Sequence, residues 1–382
     1  VRILFFSTPV RQRLMPMVPL ARALRRHGHA VAFSTAAEAA CWLEPEGFEV
    51  LPSGPDAHQL TAEVARRLGS DILFSSDKDL TAELFAGARV DLMADEALER
   101  AQRWAPDLIV CEDRDFVGPL VATALRVPSV VVVAGLVPEA EELGALAAAV
   151  RSRYVARGLQ PPARVPAGDR LLDLCPPGLQ REGGRPSADR LAPRAEPLVD
   201  VQGAATSRPA HDGRPGVLVG LDAAAGASLT LSQVLRALSA LDVDVMVVAG
   251  ERAKDLGAGP GQVRWCSRFP AGDWEGVRAV VHSGDRETTL AAAARGVPAV
   301  VVAQSPGQEE WAARLAAAGA GIALPAGSAD PTRVATAVGS LLSDSRFSQG
   351  ASRLRADIDA MPDATQVARE LVAWASAFSR CQ

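Results

Sequence analysis

Short runs of aliphatic and β-branched residues alternate with alanine- and leucine-rich stretches from one end of the chain to the other. In the first half the strand-like runs are 1–7, 30–35, 107–112 and 129–134. In the second half they are 216–221, 244–250, 263–267, 279–283, 298–304 and 321–325. Between them apolar residues return every three or four positions, as in 16–27, 91–104, 229–241, 308–318 and 331–342, which predicts helices. Strands apolar at every position must be buried on both faces, so helices have to cover both sides of a parallel sheet. The alternation runs through twice. It predicts an α/β protein of two doubly wound Rossmann-like domains facing a central cleft, with ligands outside the carboxyl ends of the strands.

The stretch 181–215 breaks this pattern: it is rich in Arg, Pro, Gly, Ser and Asp and has no period. It reads as a long, partly mobile connection. The expected division is therefore a first domain over 1–205, a linker over 206–215 and a second domain over 216–362. Residues 363–382 carry a last amphipathic helix (365–378, with Trp374 and Phe378 on its apolar stripe) expected to pack back on the first domain.

Composition narrows the chemistry. The 382 residues are 48% hydrophobic, enough for two cores, and the net charge of −5 lacks the basic field that nucleic acids require. The longest apolar runs, 130–134 and 299–303, are strand-sized, so no membrane span is expected. All but two of the forty basic residues are arginine, Lys78 and Lys254 being the exceptions. The cysteines (41, 111, 175, 266 and 381) are scattered and form no CxxC pair, so neither a metal site nor a disulfide framework is expected. The chain opens on a strand pattern rather than a signal peptide, which suggests a cytoplasmic protein. The loop after the first strand, Ser7-Thr8-Pro9-Val10-Arg11-Gln12-Arg13, holds no glycine, which argues against NAD binding. Glycines 257, 259 and 261 precede a strand and read as a loop; Gly319 and Gly321 follow a helix and read as its cap.

Several segments carry more specific information. They are the helix opening Pro16-Met17-Val18-Pro19-Leu20-Ala21-Arg22-Ala23-Leu24, the run Pro106-Asp107-Leu108-Ile109-Val110 with Gly118-Pro119-Leu120 and Val127-Pro128, and Asp173-Leu174-Cys175-Pro176-Pro177-Gly178-Leu179-Gln180. Later come Val263-Arg264-Trp265, Val280-Val281-His282, Thr288-Thr289-Leu290 and Gly296-Val297-Pro298. In this order and spacing they resemble the actinomycete natural-product glycosyltransferases of the two-domain GT-B fold. That resemblance implies inverting transfer of a deoxysugar from a nucleotide diphosphate to a polyketide-type acceptor. No cofactor is implied beyond the nucleotide sugar as co-substrate. The expected partners are a small natural-product acceptor and, at most, a second copy of the chain.

The resemblance also assigns positions. The family's general base is a histidine three residues before the helix-opening proline; here the position is Arg13, whose guanidinium stays protonated and cannot serve. The supporting carboxylate falls on Glu112, so an Arg13–Glu112 ion pair is expected in place of a His–Asp dyad, unless Glu112 itself serves as the base. Asp113 and Asp115 follow, each a loop cap or a replacement base. The donor motif His-x-Gly-Gly-x-Gly-Thr-Thr matches His282-Ser283-Gly284-Asp285-Arg286-Glu287-Thr288-Thr289, with carboxylates in place of two glycines. These carboxylates either repel a diphosphate, at about 1–4 kcal/mol, or stabilise the helix start; Arg286 offsets part of the repulsion. The family's Asp-Gln sugar clamp falls on Gly307 and Gln308, with Glu309 and Glu310 either substituting or lying on an exposed helix turn. Trp265 takes the nucleobase position, or is core. His282 is a phosphate contact, an alternative base or a packed residue. His27, His29, His58 and His211 carry no motif. Three functions stay open: glycosyl transfer with a different base, another reaction on a natural-product intermediate, and a non-catalytic auxiliary.

Overall fold

The computed structural model describes residues 1–69, 78–136, 140–180, 190–194, 213–221, 229–248, 263–266, 274, 276–325 and 327–378. Most of the connection 181–215 and the glycines at 257, 259 and 261 lie outside the described residues, as does His211. By contact the chain divides into two units. One comprises Val1–Cys175, Gly183–Glu196 and Pro362–Gln382, the other Pro176–Glu182 and Pro197–Met361.

The strands of the first unit are β1 (Arg2–Phe6), β2 (Ala30–Thr35), β3 (Glu49–Pro52), β4 (Leu108–Glu112), β5 (Ser129–Val133), β6 (Arg170–Asp173) and β7 (Arg190–Leu191). They form one parallel sheet in the order β3-β2-β1-β4-β5-β6-β7, with Leu4 in register with Ala32 on one side and Ile109 on the other. β4 and β5 are buried at every position, as continuous apolar runs require. The helix Arg89–Trp104 covers one face. Val90, Met93, Ala94, Ala97 and Ala101 recur at helical spacing and pack with Leu4, Phe6, Ile109 and Val131. Burying each larger aliphatic side chain contributes about 1.5–3 kcal/mol. A π-helical turn, Glu83–Ala88, leads into this helix. The closing helix Ala364–Phe378 packs on Val18–Arg26 through Ala364, Val367, Ala368, Leu371 and Ala375. Trp374 and Phe378 flank that stripe half-buried, their ring centroids 5.9 Å apart, with the Arg170 guanidinium 4.9 Å from the Trp374 ring.

The second unit repeats the design. Its strands β8 (Gly216–Gly220), β9 (Asp244–Val248), β10 (Val263–Cys266), β11 (Val277–His282), β12 (Ala299–Val302) and β13 (Gly321–Leu324) are parallel in the order β10-β9-β8-β11-β12-β13. Gly319 is the left-handed residue after the helix Pro306–Ala317, as expected, whereas Gly321 opens β13. In each unit the strand order reverses once, between β1 and β4 and between β8 and β11. Ligands of doubly wound sheets bind at such reversals, where the loops from two neighbouring strands diverge.

Candidate functional site

At the first reversal the loops after β1 and β4 bring together a cluster of charged side chains. Glu112, the last residue of β4, is buried and accepts hydrogen bonds on both carboxylate oxygens. Thr8 reaches Oε1 through its hydroxyl at 2.7 Å and its amide at 3.3 Å. The Arg114 amide reaches Oε2 at 2.7 Å, and Arg13 Nη1 lies 3.4 Å from the same oxygen. The Arg13 guanidinium rests 5.0 Å from the ring centroid of Phe85, which lies in the π-helical turn, a cation–π contact. Arg114 is held by Glu142 at 2.5 Å.

The three carboxyl residues after β4 have different surroundings. Glu112 is saturated with donors. Asp115 is fully buried: Arg89 Nη1 lies 2.6 Å from its Oδ2, and its Oδ1 accepts the Gly118 amide at 2.7 Å, capping the helix Val117–Leu125. Asp113 keeps some exposed surface and is approached by Arg13 at 3.9 Å and Arg114 at 3.8 Å. Burial pushes the carboxyls of Asp113 and Asp115 up, while Arg13 and Arg89 respectively pull the other way. Asp113 combines a raised pKa with access, which the sealed Asp115 lacks.

At the second reversal β11 delivers His282 fully buried. Gly284 turns the chain at φ +92°, and its amide donates to His282 Nδ1 at 3.0 Å. Accepting that hydrogen bond fixes the proton on Nε2. Burial lowers the imidazole pKa to about 4; Asp285 Oδ2, 3.9 Å away, favours the cation but does not outweigh the lost solvation. The ring is therefore neutral, with a buried Nε2–H that meets no hydrogen-bond partner among the described residues.

Asp285 is the N-cap of the helix Arg286–Arg295. Its Oδ1 accepts the Thr288 amide at 2.8 Å, and its carbonyl accepts the Thr289 hydroxyl at 2.7 Å. Thr288 and Thr289 are buried and Glu287 is exposed, so this helix start has the stabilising acidic arrangement. Gln308 accepts the Gln304 amide at 2.8 Å, which folds it over its own helix start. Glu309 lies exposed in the first turn, and Glu310 pairs with Arg314 at 3.6 Å. Trp265 lies half-buried on the edge strand β10 against the second core; its indole Nε1 is buried without a hydrogen-bond partner among the described residues.

The geometry thus gathers Arg13, Glu112 and Asp113 at one reversal and His282, Gly284, Arg286, Thr288 and Thr289 at the other, while Trp265 stands on the edge strand. It adds Thr8, Phe85, Arg89, Arg114 and Glu142, which sequence reasoning did not select. For Arg89 a signal existed: a lone arginine on the apolar stripe of its helix. Among the described residues no group of three or more His, Cys, Asp or Glu side chains could hold a metal, and no helix is long and apolar enough to cross a membrane.

Comparison with known proteins agrees with this architecture. Residues 22–184 match the N-terminal domain, and residues 232–374 the C-terminal domain, of erythromycin biosynthesis protein CIII-like proteins. The chain is 30% identical to the L-demethylnoviosyl transferase of Streptomyces niveus, over 97% of this chain and 98% of that protein. It is 27% identical to the TDP-daunosamine transferase DnrS of Streptomyces peucetius, over 90% of this chain and 89% of that one. Among solved structures, the glycosyltransferase SnogD from Streptomyces nogalater superposes with a TM-score of 0.78 at 26% identity, over 98% and 99% of the two chains. With both of its domains matched in order, the chain belongs to the erythromycin biosynthesis protein CIII-like family, on a GT-B fold of two Rossmann-like domains.

Proposed function

We propose that the protein is a glycosyltransferase of natural-product biosynthesis. It moves a deoxysugar from a thymidine diphosphate to a polyketide-type acceptor with inversion, and Asp113 takes the place of the absent histidine base. The relatives' names, which speak of demethylnoviosyl and TDP-daunosamine transfer, supply the substrate class. The acceptor oxygen attacks the anomeric carbon, the bond from that carbon to the diphosphate oxygen breaks with its electron pair on the leaving group, and the acceptor proton passes to Asp113. Arg13 cannot accept that proton; its role is to hold the Glu112 and Asp113 carboxylates in place.

The observation that carries this reading is the His282 Nε2–H: a buried donor without a partner, at a strand-order reversal, beside a glycine turn. A buried donor left unsatisfied costs about 1–3 kcal/mol, and a diphosphate oxygen would relieve it. Arg286 adds charge on the same turn. Titration calorimetry with dTDP tests the reading. Saturable binding at sub-millimolar concentration, weakened by His282→Ala, supports it; absence of binding overturns it.

One observation favours a second reading, a reaction or supporting role without any nucleotide sugar. Asp285 already takes the Thr288 amide, one of the donors that a diphosphate at this helix start would use. That reading expects no dTDP binding. If it holds with catalysis, aglycone-like intermediates give a product of unchanged mass; if they give none, the protein is an auxiliary.

A further inference from the structure

A cavity of about 400 Å³ lies at the amino-terminal ends of β5 and β6, the edge of the first sheet opposite the Glu112 cluster. Part of its wall is apolar, formed by Pro119, Ala122, Val127, Pro162 and Phe378. Beside that wall stands Arg126, the residue that ends the helix Val117–Leu125 at φ +56°. Side chains with a Cβ rarely adopt this conformation, and glycine is the usual occupant of such a cap.

The protein itself provides the comparison. In the second unit the helix Arg286–Arg295 ends on Gly296 at φ +68°, followed by Val297-Pro298 and β12. In the first unit Arg126 is followed by Val127-Pro128 and β5. Two equivalent helix-to-strand turns thus share the Val-Pro step and each borders a cavity; the first carries a long cationic side chain on the left-handed residue itself, where the second has glycine. Arg126 is exposed, and its guanidinium makes no ion pair or hydrogen bond among the described residues.

The other charges of the lining are occupied. Asp169 Oδ2 accepts the Ser129 amide at 2.8 Å and its hydroxyl at 3.1 Å, and Arg164 donates to the Gly168 carbonyl at 3.5 Å. One uncommitted positive charge therefore faces a cavity whose volume suits a small molecule. The Arg126 amide closes the helix on the Ala122 and Thr123 carbonyls, a task glycine performs with less strain, so its guanidinium is the part left without a structural task.

We propose that this cavity binds a small monocarboxylate with an apolar body, its carboxylate on the Arg126 guanidinium and its hydrocarbon part against Pro119, Pro162 and Phe378. The planar guanidinium matches a carboxylate in a two-point hydrogen bond. The nearby Asp169 carboxylate disfavours a dianion. The site is separate from the strand-order reversal of its own unit, which lies at the opposite end of the strands.

Calorimetry on the full chain with 2-naphthoate, and with uncharged 2-naphthamide as control, tests the proposal. The wild type is expected to bind 2-naphthoate saturably, at least tenfold more tightly than the amide. Arg126→Gly is expected to weaken 2-naphthoate at least tenfold without lowering the melting temperature, because glycine relaxes the turn. Arg13→Ala is expected to leave 2-naphthoate binding unchanged. The proposal is overturned by absence of binding to the wild type, by equal affinity for acid and amide, by full affinity in Arg126→Gly, or by loss of binding in Arg13→Ala.

Discussion

The Arg89–Asp115 pair supports the first reversal, and replacing Arg89 by methionine should expose how much. The side chains are only 2% and 0% accessible, and Arg89 Nη2 also donates to the Ser7 carbonyl at 2.9 Å, just past β1. One guanidinium thus joins the loop after β1 to the loop after β4. Unit charges 2.6 Å apart attract by about 6 kcal/mol at an effective dielectric of 20, and the arginine's own desolvation returns part of that when it is removed. Removing one member of a buried pair typically costs about 3–5 kcal/mol, because the other charge is stranded. We expect Arg89→Met to lose that much at pH 7 in urea denaturation followed by tryptophan fluorescence. Adding Asp115→Asn removes the stranded charge. The double variant should recover all but about 1–2 kcal/mol, the part due to the orphaned Ser7 carbonyl. In Arg89→Met the lone carboxyl is raised further, so it destabilises the fold more as pH rises above its unfolded value near 4. The deficit of Arg89→Met should accordingly shrink between pH 7 and pH 5. A loss below about 1 kcal/mol, or a double variant less stable than the single one, would refute the reasoning.

Three further outcomes are expected. His282 titrates near 4 in the folded chain and near 6.5 unfolded, so between those values the unfolded state takes up a proton that the folded state refuses. Stability should fall by about 3 kcal/mol on acidification through that window, and His282→Gln should flatten the profile measured by denaturation at each pH. At Gly284 a Cβ would stand 2.8 Å from Val301 Cγ1 and 3.0 Å from the Gln308 carbonyl at φ +92°, so Gly284→Ala should cost about 2–4 kcal/mol of stability and weaken dTDP binding in calorimetry. If Asp113 is the base, Asp113→Asn should lower kcat about 10²–10⁴-fold with KM little changed and the melting temperature retained; an unaltered kcat assigns the proton to another group.

The sheet interiors were legible in the sequence because they obey the simplest rule. β1, β2, β4, β5, β8, β9, β11 and β12 are apolar runs, and a strand buried on both faces has no other pattern available. The strands that escaped lie toward one edge or the other of the first sheet. Glu49-Val50-Leu51-Pro52 in β3 and Arg170-Leu171-Leu172-Asp173 in β6 mix charge with aliphatics, since such strands are covered less completely and Pro52 needs no ladder partner for its nitrogen. β7 is two residues long and carries no period at all. The π-helical turn 83–88 was equally invisible, because one extra residue in a turn leaves the local composition helical.

The site separates along the same line, and Glu112 shows why. Its place at the end of β4 follows from the apolar run before it, and so does its nearness to the loop that carries Arg13. What a carboxylate there can do depends on how many donors surround it, and those come from Thr8, Arg13 and the Arg114 amide, on two loops and a four-residue helical turn that have no period. Four donors fill the roughly four lone-pair sites of its two oxygens and leave none to face an acceptor hydroxyl. Asp113, one residue on, has the same formal chemistry and fewer commitments. The distinction between a structural acid and a reactive one therefore rests on backbone amides and a threonine hydroxyl, groups that every sequence contains and none advertises. The same logic applies at His282, where the Gly284 amide selects the tautomer and thereby decides that the buried nitrogen offers a proton rather than accepting one.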